Sequence, residues 1–217
     1  MINLKKYKSL VFDCDGVVLD SNKVRVDAFY NCALPYGVEY AEALAAYHVL
    51  HGGVSRYVKF EVLLRDMLGL PVTQEAMDAL LLQFTTEATQ GLLKCDIAPG
   101  LKALREATPH ANWILASGAD ERELRDVFAQ RGLAKWFDGG IFGSPLNKDQ
   151  ILERELASGN CKRPGVFFGD SRYDVEASQR AGLDSVFLTQ WTDMQGWQAF
   201  CAERQVTVVN GFEELFS

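Results

Sequence analysis

The stretch VFDCDGVVLD, residues 11–20, decides how this chain is read. Leu10, Val11 and Phe12 form a short apolar run that stops at Asp13, as a strand buried on both faces does where it leaves the core. Asp15 follows two residues on, then Gly16. By itself, Asp15-Gly16 between apolar runs signals a type I′ hairpin turn. The rest of the chain decides between that hairpin and a strand end that carries two carboxylates for chemistry.

Three later runs repeat the pattern. Trp113–Ala116 stops at Ser117, Val166–Phe168 at Gly169-Asp170, and Ser185–Leu188 at Thr189. After each, the spacing turns helical, as with Leu124, Val127 and Phe128 before Gly132. Strand, polar turn and helix in repetition predict an α/β fold, a Rossmann-like, doubly wound parallel sheet wrapped by helices. Ligands of such sheets bind beyond the carboxyl ends of the strands, where Asp13, Ser117 and Asp170 fall.

Residues 21–93 differ. They hold no strand-like run but keep a helical period: Phe60, Leu63, Leu64, Met67 and Leu68 share one face, and Met77, Leu80, Leu81, Phe84 and Ala88 another. Helices are predicted over about 22–34, 39–50, 54–69 and 73–92, with breaks at Pro35, Gly37, Gly52-Gly53 and Pro71. The expected organisation is an α/β core over 1–20 and 94–217, with a helical insert over 21–93.

Composition narrows the function. The 22 basic and 29 acidic residues leave a net charge of -7 over 217 residues, which argues against a partner held through its phosphate backbone, so no nucleic acid is expected. No apolar run approaches the ~18 residues needed to span a bilayer, and Asp13 and Asp15 interrupt the N-terminal region before a signal-peptide core forms. No membrane association and a cytoplasmic location are expected. The five cysteines are scattered, without a CxxC pair, and read as small buried hydrophobes. No Cys is followed by Arg six positions later, and neither Gly-x-Gly nor GxxxxGK[ST] occurs, which leaves cysteine-phosphatase and nucleotide-driven chemistry unsupported.

With Asp13 and Asp15 in DCDG, Ser117 in ILASG, Lys148, and Asp170 and Asp174 in GDSRYD, the sequence resembles the haloacid dehalogenase superfamily in its phosphatase branch, motif by motif. A helical cap between the first two motifs marks the subclass that includes phosphoglycolate phosphatases and β-phosphoglucomutases. The resemblance implies phosphoryl transfer, and the residue types suit it. A carboxylate, Asp13, serves as nucleophile and splits the reaction through an aspartyl-phosphate. Asp15 is placed to protonate the leaving oxygen and then to deprotonate the attacking water. Crowded carboxylates and phosphate call for a hard cation, Mg²⁺, held by Asp13, the Asp15 backbone carbonyl and Asp170. Asp174, a helical turn further on, would take a metal-bound water or orient Lys148. Ser117, with the N–H groups of Gly118 and Ala119 at an expected helix start, and Lys148 would bind phosphate oxygens. The bland alternatives are helix caps at Ser117 and Asp170 and a solvated Lys148-Asp149 pair. The family usually places proline after the lysine, where this chain has Asp149.

In the insert, HGGVSR at 51–56 resembles a substrate-specificity loop, which implies that Gly53 and Arg56 face the non-transferring part of the substrate. Lys59 follows on the same helix, where an exposed helix charge is the expected reading. His48 and His51 lack a third ligand and read as packed or surface histidines. Asp15 argues against dehalogenase and phosphonatase activity. Arg25 stands ten positions after it, where the mutases have histidine, and no Lys or Arg lies between Asp66 and Lys94. The expected activity is therefore hydrolysis of a small phosphorylated metabolite, a sugar phosphate or phosphoglycolate-like ester. A β-phosphoglucomutase-like transfer and a non-catalytic interaction module are the alternatives.

Overall fold

The computed structural model describes residues 2–216. Six strands, β1 (Ser9–Phe12), β2 (Asn112–Asp120), β3 (Ile141–Ser144), β4 (Gly165–Gly169), β5 (Asp184–Leu188) and β6 (Thr207–Val209), form one sheet in the order β3-β2-β1-β4-β5-β6, every pair parallel. Parallel strands need crossovers and covered faces, so the central ones carry continuous apolar runs, and all four residues of β1 are buried. Phe12 is in register with Leu115 on β2 and with Phe168 on β4. Its ring lies 4.4 Å from Trp113 and 5.1 Å from Phe168. This register brings the ends of β1 and β4 alongside the Ser117 stretch of β2, which runs on beyond them. It also puts the chain reversal between β1 and β4, the switch point at which such sheets bind ligands.

Four helices after β1 fall within the predicted insert: α1 (Asn22–Ala33), α2 (Val38–Leu50), α3 (Arg56–Val62) and α4 (Gln74–Leu92). They follow the predicted boundaries closely, except that the third begins at Arg56 and loosens into a π-helical turn over Leu63–Met67. Their interior is aromatic, with Phe29 4.4 Å from the Phe84 ring and 5.4 Å from that of Phe60. The remaining helices, α5 (Leu101–Ala107), α6 (Glu121–Gln130), α7 (Lys148–Ala157), α8 (Arg172–Arg180) and α9 (Trp197–Glu203), belong to the sheet. Trp197 stacks on Phe187 at 6.0 Å and Phe200 is buried, which is helix packing.

The hairpin reading of Asp15-Gly16 does not hold. The amides of Val18 and Leu19 both donate to the Cys14 carbonyl, at 2.9 and 3.0 Å, closing a compact turn beyond β1. Gly16 has φ +77°, and a Cβ there would collide with the Asp170 carboxylate. The expected helix start at Gly118-Ala119 is also corrected. β2 runs on to Asp120, whose carboxylate caps α6 by accepting from the Arg122 and Glu123 amides.

Candidate active site

The carboxyl-terminal side of the sheet assembles the motif residues. Asp13 follows β1, Ser117 lies in β2, Lys148 opens α7, Asp170 follows β4, and Asp174 sits in the first turn of α8. All five are buried. Asp13, Asp170 and Asp174 place carboxylate oxygens within 4.8 Å of one another. Lys148, 0% exposed, lies with Nζ 3.0 Å from Asp13 Oδ2 and also donates to Asp174 Oδ1. A solvated pair of Lys148 with Asp149 is thereby excluded. Asp149 instead receives Arg180 at 2.7 Å and the Tyr173 hydroxyl at 3.0 Å.

Asp174 is fully engaged, because its Oδ2 accepts from Ser171 Oγ at 2.6 Å and from the Ser171 amide at 3.1 Å in the capping box of α8. Ser171, not Asp170, is the cap. Asp170 Oδ2 takes Asn22 Nδ2 at 3.1 Å. Asp13 Oδ1, by contrast, is buried without any hydrogen-bond partner. Burial pushes the Asp13 carboxyl up to about 7 against the pull of Lys148, with Asp174 adding repulsion. Burial, then Asp174 and Asp13, hold Asp170 well above the usual carboxylate range. Burial disfavours the Lys148 ammonium, but Asp13 and Asp174 outweigh it and keep the group protonated. An orphaned carboxylate oxygen inside an all-oxygen acidic cluster suits a hard cation such as Mg²⁺.

Asp15 turns away from the cluster. Its Oδ1 accepts from Ser21 Oγ at 2.5 Å and from Arg25 Nε at 3.0 Å. Burial raises its pKa, but Arg25 and the Ser21 hydroxyl win and hold it below the ordinary value. Ser117 Oγ accepts from the Ala119 amide at 3.1 Å, so it organises its own turn rather than capping a helix.

A cavity of about 620 Å³ lies between these strand ends and the insert. Asp13, Asp15, Ser117, Gly118 and Asp170 line its floor, and Gly53, Arg56 and Lys59 belong to its other wall. Gly53, with φ +80°, packs over Lys148, and its carbonyl sits where a Cβ of Gly118 would be. The loop between α2 and α3 therefore rests directly on the phosphate-binding candidates. Arg56 is 4% exposed and binds Glu123 of α6 and, at 3.0 Å, Thr85 Oγ1. The expectation of an exposed Lys59 fails, for it is 1% exposed with Nζ 2.6 Å from His48 Nδ1. His51 Nδ1 meets the Tyr47 carbonyl at 3.0 Å. Asn22 and Glu123 escaped the sequence reading because neither belongs to a motif and their partners are far along the chain.

A haloacid dehalogenase-like hydrolase family model matches residues 7–182. The chain belongs to that family. The phosphorylated carbohydrates phosphatase of Thermotoga maritima is 26% identical over 199 residues, covering 83% of this chain and 84% of that protein. Two solved structures share the fold. A predicted phosphoglycolate phosphatase from Haemophilus somnus has a TM-score of 0.73 at 15% identity, covering 97% of each chain. A β-phosphoglucomutase from Clostridium difficile has a TM-score of 0.71 at 17% identity, covering 96% of this chain and 93% of its own. Among the described residues, no helix is long and apolar enough to cross a membrane.

Proposed function

We propose that this chain hydrolyses the phosphomonoester of a small phosphorylated metabolite, with Mg²⁺ bound, through a phosphoaspartate on Asp13. The observation that carries the reading is the meeting of Asp13, Lys148 and Asp170 under a roofed cavity. Residues 1–20 and 94–217 would supply the catalytic core, and 21–93 the cap. Asp13, Asp170 and the Asp15 backbone carbonyl would hold the cation, with Asp174 behind Lys148. When bound, the metal would neutralise the charge between phosphate and carboxylates.

Asp13 attacks phosphorus as the bond to the leaving oxygen breaks, and the Asp15 carboxyl gives that oxygen its proton. In the second half-reaction Asp15 takes a proton from water, the water oxygen bonds to phosphorus, and the bond to Asp13 breaks to release phosphate. Arg25 favours the ionised form of Asp15, which is the form that the second step uses. Lys148 and the Ser117 turn would hold the transferred oxygens, and the insert excludes bulk water. Arg25, where resemblance places a histidine in the mutases, supports hydrolysis over transfer to a second hydroxyl. Cavity size and the carbohydrate phosphatase relative support a small substrate. The test is phosphate release from a panel of small esters, with Mg²⁺ or chelator. Release that needs Mg²⁺ is expected, and metal-independent release would overturn the reading.

A further inference from the structure

The insert side of the cavity carries three lysine or arginine side chains, Arg25, Arg56 and Lys59, with His48 and His51 beside them, and no acidic one. Two of these cations are neutralised. Arg25 meets Asp15 and Glu123, and Arg56 meets Glu123. Lys59 is not. Among the described residues no carboxylate lies within ion-pairing distance of it, and its contacts are His48 Nδ1 at 2.6 Å and the face of Phe29 at 5.3 Å. A histidine and an aromatic ring do not supply a countercharge, yet the ammonium is almost wholly buried. Arg25 adds a second unmet donor, because its Nη2 is buried without a hydrogen-bond partner. A buried lysine without a carboxylate and an arginine with a spare donor on one cavity wall are the complement of an oxyanion.

We propose that Lys59, with Arg25, binds a second oxyanion on the part of the substrate that leaves, so that the preferred ester carries a carboxylate or a further phosphate beside the one it loses. This rests on the phosphatase reading of the cavity floor and names the substrate class that the opposite wall selects. Neutral hydroxyls would leave the Lys59 charge uncompensated. An acidic group compensates it without a change in the floor. Burial lowers the Lys59 ammonium to about 7, against the longer-range pull of Asp15 and Asp13 and with Arg25 and Lys148 adding repulsion, so an anion in contact also favours the charged form.

Binding to Asp13→Asn protein separates this proposal from the chemistry. Calorimetry would compare phosphoglycolate with 2-hydroxyethyl phosphate, gluconate 6-phosphate with sorbitol 6-phosphate, and fructose 1,6-bisphosphate with fructose 6-phosphate. The acidic member of at least one pair is expected to bind more than about tenfold tighter. The first two pairs report a carboxylate and the third a phosphate. Adding Lys59→Met, or Lys59→Gln should the first variant fail to fold, is expected to bring that ratio close to one while leaving the neutral member within about threefold. Equal binding within every pair, or equal losses for both members on substitution, overturns the proposal. Esters hydrolysed without acidic preference would refute this inference alone, whereas acidic preference in binding with no hydrolysis of any ester would refute the phosphatase mechanism alone.

Discussion

Glu123 offers one carboxylate oxygen to Arg25, at 2.5 Å, and the other to Arg56, and all three side chains are buried. Glu123 belongs to α6 beside the sheet, whereas the arginines belong to α1 and α3 of the insert. One acid thus ties two insert helices to the core, and through Arg25 it also fixes the position of Asp15.

Glu123→Gln leaves two buried guanidinium groups short of countercharge. Loss of one partner from a buried ion pair costs ~3–5 kcal/mol, part of which the glutamine amide recovers. Chemical denaturation is expected to show a loss of at least ~2 kcal/mol. Phosphatase kcat is expected to fall with it, because Arg25 no longer has a fixed place beside Asp15.

Lys148→Met removes the only side-chain cation within 4 Å of Asp13 among the described residues. A fixed charge on a transferred oxyanion is worth about 10²–10³ in rate. Phosphate release is expected to fall by at least that factor, with a larger effect on kcat than on KM.

Gly118→Ala places a methyl group against the Gly53 carbonyl. The two chain segments then separate, and the loop between α2 and α3 lifts from the strand end. Hydrogen exchange in residues 51–55 is expected to speed up, and kcat/KM to drop about tenfold or more, while β1 and β4 keep their protection.

Metal removal has a signed pH signature. The Asp13 carboxyl is raised to about 7 in the fold from an ordinary 3.8, so in the metal-free chain this group holds more proton folded than unfolded between those values. The stability that Asp13 contributes therefore falls as pH rises from about 4 to 7. Because a cation requires the ionised carboxylate, Mg²⁺ binding at pH 7 releases protons and raises the thermal midpoint more at pH 7.5 than at pH 5. Thermal scans with chelator and with Mg²⁺ at the two pH values check this. An equal metal-induced rise at both would contradict it.

The parts of this molecule legible in the sequence are those in which local pattern and chemistry coincide. The apolar runs ending at Asp13, Ser117 and Asp170 are strands because burial on both faces demands continuous hydrophobicity. β3 and β6 escaped notice. The first is four residues long and begins directly after Gly139-Gly140, and the second is a three-residue edge strand whose Thr207 and Val208 are exposed. Lys59 reads as helix surface in the sequence because its burial depends on elements packed around it, such as His48 of α2 and Phe29 of α1, a tertiary fact with no local signal. The Asp120 cap shows the same limit at finer scale. β2 continues three residues past Ser117, and only its register with β3, where Asp120 pairs with Ser144, reveals this.

The most direct test of the account is to trap the covalent intermediate. Protein carrying Asp15→Asn, which lacks the base for the second half-reaction, is mixed with a hydrolysable ester and Mg²⁺, quenched in acid and mapped by mass spectrometry. One phosphoryl group is expected on the peptide containing Asp13, absent when Asp13→Asn is added or when chelator replaces Mg²⁺. Steady phosphate release by wild-type protein with no phosphoryl group on Asp13 in the trapping variant, or release that survives Asp13→Asn, would contradict it.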